Sequence, residues 1–144
     1  MIYLDTCYII KCYLTENGSA EVRRLTAAAD GLASCTLAKV EFAAAVHRQM
    51  RESRLDAKQA TQVLDSFESD CLNGYWCFFG LSESLLTSVN RLIRRLDRNI
   101  YIRTNDAIHL VCARENGFRE IYSNDRHLLA ASQSFAIKGV NIIG

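Results

Sequence analysis

Glu120-Ile121-Tyr122-Ser123-Asn124-Asp125-Arg126-His127-Leu128-Leu129-Ala130-Ala131 reads as a short strand, a polar break and then a helix. The stretch from Glu120 to Ser123 is strand-like, whereas Asp125 to Ala131 reads as helical. The same unit opens the chain, where Ile2-Tyr3-Leu4 stops at Asp5 and Cys7 to Leu14 follows as a helix. It returns at Leu32-Ala33-Ser34-Cys35, after which Thr36 caps a long helix with Leu37, Val40, Ala44 and Met50 near one face. Tyr75 to Leu81 is a further strand, followed by a helix from Ser82 to about Leu96, and Val140 to Ile143 is the last. Three more helices complete the pattern: Ser19 to Ala29, Leu55 to Asn73 (with Ala60, Val63, Leu64 and Phe67 at helical spacing), and one capped by Thr104 and stopped by Asn116-Gly117. Strands this apolar, alternating with helices, predict an α/β fold with a parallel sheet covered on both faces. Ligands of such sheets bind beyond the carboxyl ends of the strands.

The 144 residues suffice for one domain, 1–144, and show no repeat, linker or low-complexity tract. Proline is absent, which suits helices joined by short connections. A net charge of +1 names no partner, so nucleic-acid affinity has to come from uneven charge distribution. The start carries Asp5 and no basic segment, and no apolar run is long enough to span a membrane, so a cytoplasmic protein is expected. The six cysteines form no C-x-x-C pair, and none has arginine six residues later as a phosphatase loop requires. They read as small, mostly buried hydrophobes.

Four acids fall on the rim where ligands bind. Asp5 follows the first strand, Asp125 follows the strand ending at Ser123, Asp106 lies in the first turn of the Thr104 helix, and Glu41 sits one to two turns into the Thr36 helix. Each alone could be a capping or first-turn acid favoured by the helix dipole. Together they mean more, because Glu41 lies too deep to cap and its neighbours are nearly all apolar. Converging carboxylates need a cation, and an oxygen-only set without matching Cys or His selects Mg²⁺ or Mn²⁺.

Leu4-Asp5-Thr6, Val40-Glu41, Asn105-Asp106-Ala107-Ile108-His109-Leu110, and Ser123-Asn124-Asp125-Arg126-His127-Leu128 with the later Gly139-Val140 occur in order along nearly the whole chain. In these stretches the sequence resembles the PIN-domain ribonucleases, and in length and second half the VapC toxins of toxin–antitoxin pairs. The resemblance implies an α/β/α sandwich with a five-stranded parallel sheet and metal-dependent cleavage of RNA. It implies Asp5 and Asp106 as principal metal ligands, with Asp125 and Glu41 holding a coordinated water or a second ion, and Thr6 and Ser123 as supporting hydroxyls. Cys7 stands where the family often has serine. The family also implies a homodimer, a VapB-like antitoxin filling a groove near the acids, and higher toxin–antitoxin assemblies. His109, one turn from Asp106 on an apolar helix, reads as a structural hydrogen-bonding residue, and His127 as exposed and without chemistry.

Arg91, Arg94, Arg95, Arg98 and Arg103 fall within thirteen residues against one acid, Asp97, just before Asp106. Arg95, Arg98 and Arg103, with Arg126 beside Asp125, are candidates to lead an RNA backbone to the acids. Tyr8, Tyr13, Phe42 and Trp76 could stack bases but suit the core better. Tyr8, Ile9, Ile10, Tyr13 and Leu14 make the first helix apolar nearly all round, so it needs a cover. The competing reading is a non-catalytic PIN-like module that binds RNA or protein. An aspartate-nucleophile phosphohydrolase would want Asp where Cys7 stands, and a receiver domain would want an acidic pair near the first strand.

Overall fold

Tyr3 and Leu4 are adjacent and fully buried, yet they lie in different cores. This follows from the strand period of two, and it repeats across the sheet. Ala33 joins the core of Tyr3 while Leu32 joins that of Leu4; Trp76 and Phe78 face the second core, and Cys77 and Phe79 the first. The computed structural model describes Met1 to Gly144. Its strands are β1 (Ile2–Tyr3), β2 (Leu32–Cys35), β3 (Trp76–Phe79), β4 (Glu120–Tyr122) and β5 (Lys138–Val140). Its helices are α1 (Thr6–Tyr13), α2 (Ser19–Ala28), α3 (Leu37–Arg51), α4 (Ala57–Leu72), α5 (Glu83–Arg95), α6 (Thr104–Glu115) and α7 (Arg126–Ala131), followed by a 3₁₀ turn at Ser132–Phe135.

All strand pairs are parallel. β1, β2 and β3 form one sheet in that order, with Ile2 beside Leu32 and Leu32 beside Trp76. β4 and β5 form a second, with Ile121 beside Gly139. A single parallel bridge between Leu4 and Tyr122, reinforced by Asp5 N–H donating to Tyr122 O at 3.0 Å, joins the two sheets. The spatial order is therefore β3-β2-β1-β4-β5. One face is covered by α1 to α4, through Tyr8, Ile9, Val22, Ala38, Phe42, Val46, Ala60 and Phe67. The other is covered by α5 to α7, through Leu85, Val89, Val111 and Leu128. The expected α/β/α sandwich with parallel strands is the observed one, with its five strands divided into sheets of three and two rather than one continuous sheet.

Boundaries shift in informative ways. α3 buries Ala38, Phe42 and Val46, one line at spacing four, while Val40 is 68% exposed and Ala44 is also outside. Both lines of this helix are apolar, so periodicity alone does not choose between them. β5 begins at Lys138 rather than Val140, because Glu120 pairs with Lys138 in register, and Ile142 and Ile143 instead pack against the α1–α4 core. Thr104 is the first residue of α6 and Arg103 its N-cap, which puts Asp106 at the third helical position. The apolar first helix is covered within the chain by α2, α3 and α4.

Gly139 lets β5 lie close to α7. A methyl group there would meet Leu129 Cδ2 at 2.7 Å, Ser132 Oγ at 3.0 Å and the Leu129 backbone at 3.3 Å. Gly139→Ala is expected to destabilise the protein by about 1–3 kcal/mol, the range for overpacking a filled contact. Thermal melting measures it, and an unchanged midpoint would mean that Leu129 yields freely.

Candidate active site

Four carboxylates line one cavity of ≈ 460 Å³ at the carboxyl ends of the strands: Asp5, Glu41, Asp106 and Asp125. Thr6, Cys7, Arg48, Arg103, Thr104 and Asn105 complete most of its wall. The topology accounts for the convergence. Asp5 leaves β1, Asp125 follows β4, Glu41 lies on the helix after β2, and Asp106 lies in the first turn of α6, which packs against β2.

Asp5 occupies the N-cap position of α1, but its side chain caps nothing. Its Oδ2 accepts from Ser123 Oγ at 2.6 Å and from Cys7 Sγ at 3.2 Å. A 7% exposed carboxylate that declines the available helix N–H groups is aimed elsewhere, into the cavity. Asp125 divides its work. Oδ1 caps α7 by accepting from the N–H groups of His127 at 2.8 Å and Leu128 at 3.2 Å, which leaves Oδ2 for the cavity. Ser123 Oγ also accepts from Asp125 N–H at 2.9 Å, so one hydroxyl ties both aspartates.

Glu41 is held from three sides. Thr6 Oγ1 donates to Oε1 at 2.7 Å, His109 Nε2 lies 2.6 Å from the same oxygen, and Asn105 Nδ2 donates to Oε2 at 3.2 Å. The imidazole of His109 is also hydrogen-bonded through Nδ1 to the Tyr3 hydroxyl at 3.0 Å. Burial works against the Glu41 charge, but these donors outweigh it and hold its carboxyl below its ordinary range. Burial likewise opposes the imidazolium, and Glu41 and Asp5 overcome it, so His109 is held protonated above its ordinary range. The expected structural role of His109 is thus the support of an acid.

Arg103 is the residue whose placement the sequence did not foretell. Its Nε donates to Asp106 Oδ2 at 2.8 Å and its Nη2 to Asp125 Oδ2, so one guanidinium bridges two of the acids. Burial still leaves Asp106 above the usual carboxylate range despite Arg103. At Asp125 burial also pushes upward, but Arg103 and the two backbone N–H groups prevail and lower it. Arg48 is a second cationic wall residue that sequence reasoning missed. Its signal was its position seven residues, or two turns, beyond Glu41 on the same helix.

The other candidates lie outside the cavity. Arg91, Arg94, Arg95, Arg98 and Arg126 are exposed and form no ion pair. Tyr8, Phe42 and Trp76 are buried in the core, and Tyr13 donates to Asp70 at 2.6 Å, so none of these rings is free to stack a base. His127 is half-buried rather than exposed, because Tyr101 lies against it with ring centroids 4.5 Å apart.

The donor chemistry suits a hard divalent cation, since every acid in the cavity offers oxygen and only Asp125 commits one of its two to capping. No three ligand-type side chains are drawn into a finished cage, and Arg103 places its positive charge between Asp106 and Asp125.

A family profile described as PIN domain matches residues 2–133. No curated protein matches the chain. Among solved structures, Mycobacterium tuberculosis VapC20, described as a Sarcin-Ricin loop cleaving toxin, superposes with a TM-score of 0.72 at 16% identity, over 91% of this chain and 95% of that one. VapBC2 from Rickettsia felis, bound to a DNA fragment from its promoter, gives a TM-score of 0.67 at 16% identity, over 98% of each chain. At such identity these likenesses speak for the fold. No helix is long and apolar enough to cross a membrane.

Proposed function

The chain belongs to the PIN domain family, and from that premise we propose that it is a metal-dependent endoribonuclease, the toxin of a toxin–antitoxin pair working in the cytoplasm. The observation that carries the reading is the convergence of Asp5, Glu41, Asp106 and Asp125 on one cavity, with the Asp5 carboxylate left free of capping. Asp5, Asp106 and Asp125 Oδ2 are the groups that would hold Mg²⁺ or Mn²⁺, with Glu41 beside them. When bound, such an ion acidifies water and shields charge on an attacked phosphodiester.

The chain's own residues do the positioning. Ser123 and Cys7 fix the rotamer of Asp5, and Thr6, Asn105 and His109 fix that of Glu41. Burial of Asp106 and the apolar helix behind it keep water off one side of the site. The unpaired arginines Arg91, Arg94, Arg95 and Arg98, with Arg126 beside Asp125, supply positive charge for a phosphate backbone approaching an otherwise acidic mouth.

A VapB-like antitoxin and a homodimer belong to the same proposal. A groove of ≈ 450 Å³ between α3 and α4, walled by Leu64, Cys71 and Leu72 with Lys39 and Glu68 over the buried rings of Phe42 and Phe67, supports a protein partner. Leu72 is 81% exposed at its edge.

The test is incubation of purified, antitoxin-free protein with a pool of transfer and ribosomal RNA, with Mg²⁺ or Mn²⁺ and with chelator. Discrete cleavage that chelator abolishes is the expected result. A folded, metal-supplied protein that binds RNA without cutting it would instead favour a non-catalytic binding module.

A further inference from the structure

We propose that Arg103 is a built-in counter-cation of the acidic site, which a divalent ion must displace to bind. This rests on the metal-site reading above and adds a residue that governs it. The guanidinium bridges Asp106 and Asp125 through two separate nitrogens, and these two carboxylates are its only side-chain partners. It takes the very oxygen of Asp125 that capping leaves free, since Oδ1 is engaged by His127 and Leu128. Asp5 and Glu41 face the same cavity, where Arg103 and Arg48 are the cations of the wall and His109 pairs with Glu41, so the four carboxylates still outnumber the positive charges. The site is therefore compensated enough to fold and remains cation-seeking.

The geometry also permits release. Arg103 is the N-cap of α6, yet its side chain makes no capping bond, so the helix does not depend on where the guanidinium sits. The side chain is 45% exposed, and turning it into water leaves no buried donor without a partner. Both Asp oxygens it vacates are then available to an ion carrying twice its charge. Arg103 and the ion compete for the same two oxygens, and the apparent metal affinity is the intrinsic one reduced by the stability of the arginine pair.

The comparison that tests this is Mn²⁺ binding by isothermal titration calorimetry at pH 7, without RNA, to wild type, Arg103→Gln and Arg103→Lys, each checked for native circular dichroism. Arg103→Gln is expected to bind Mn²⁺ about tenfold more tightly than wild type, a gain consistent with losing a partly exposed charged pair. Arg103→Lys keeps the charge but loses the fork, so its affinity is expected to rise by a few-fold; it carries the comparison alone if the Gln variant does not fold. Melting should agree, with Mn²⁺ raising the midpoint of the variants more than that of wild type. Equal or weaker binding by the variants overturns the counter-cation while leaving the metal nuclease intact. Absence of Mn²⁺ binding in every protein overturns both.

Discussion

Asp106→Asn is expected to lower RNA cleavage by at least about 100-fold while leaving the melting midpoint unchanged or slightly raised. Even outer partners of metal ligands cost roughly 10–100-fold when removed, and Asp106 itself faces the cavity. Asparagine keeps the shape, so no hole opens beside the buried neighbours Ala107 and Leu110. The ionised carboxylate is the form the fold disfavours, because burial holds Asp106 above the usual carboxylate range even with Arg103 at 2.8 Å. A neutral amide escapes that penalty and loses one partly exposed ion pair, two effects of opposite sign and similar small size. Initial rates on the RNA pool and a thermal melt decide the matter together. Cleavage kept within tenfold of wild type would remove Asp106 from the site, and a collapse in stability would recast it as a structural acid.

His109→Ala is the variant expected to hurt the fold most, by about 3 kcal/mol or more. Its imidazole is 1% exposed and touches Tyr3, Glu41 and Thr6. Removing it leaves the buried Tyr3 hydroxyl unpaired, takes away a partner of Glu41 and opens a cavity, and loss of one member of a buried charged pair alone costs roughly 3–5 kcal/mol. The partial exposure of Glu41, 23% at its side chain, places the figure at the low end. The pH dependence has a defined sign. His109, held above its ordinary 6.5, contributes fully below that pH and loses its contribution as pH rises through its folded value. Glu41, held below its ordinary 4.5, contributes fully above that pH and loses its contribution as pH falls through its folded value. The penalty in the variant should therefore be greatest between those two ordinary values, as urea unfolding at several pH values would show. A penalty independent of pH would assign it to packing alone.

The placement of Asp5, Glu41 and Asp125 was readable because each lies within two helical turns of a strand's carboxyl end, and parallel strands bring those ends to one rim, while Asp106 was read from its place in the first turn of α6. That rule is local, as is the start of α5 at Ser82, whose hydroxyl caps it. The buried line of α3 was not readable, because Val40 and Ala44 are as apolar as Ala38 and Phe42, and only the packed partners choose between them. Nor was the position of Arg103. It belongs to a run of arginines that otherwise stay in water, and its link to Asp125 spans 22 residues between the start of α6 and the turn after β4. Such a meeting of side chains follows from tertiary geometry and leaves no periodic trace.

The two sheets touch through one bridge, Leu4 to Tyr122, and the cavity opens where they meet. Asp5 stands on one side of that seam, Ser123 and Asp125 on the other, and the Ser123–Asp5 hydrogen bond is a stitch across it. The single backbone bridge between the sheets is thus reinforced by side chains that shape the cavity. A cation held by Asp5 and Asp125 would span that seam like a rivet, so on the metal-site reading an ion that serves the chemistry would also fasten the two sheets to each other.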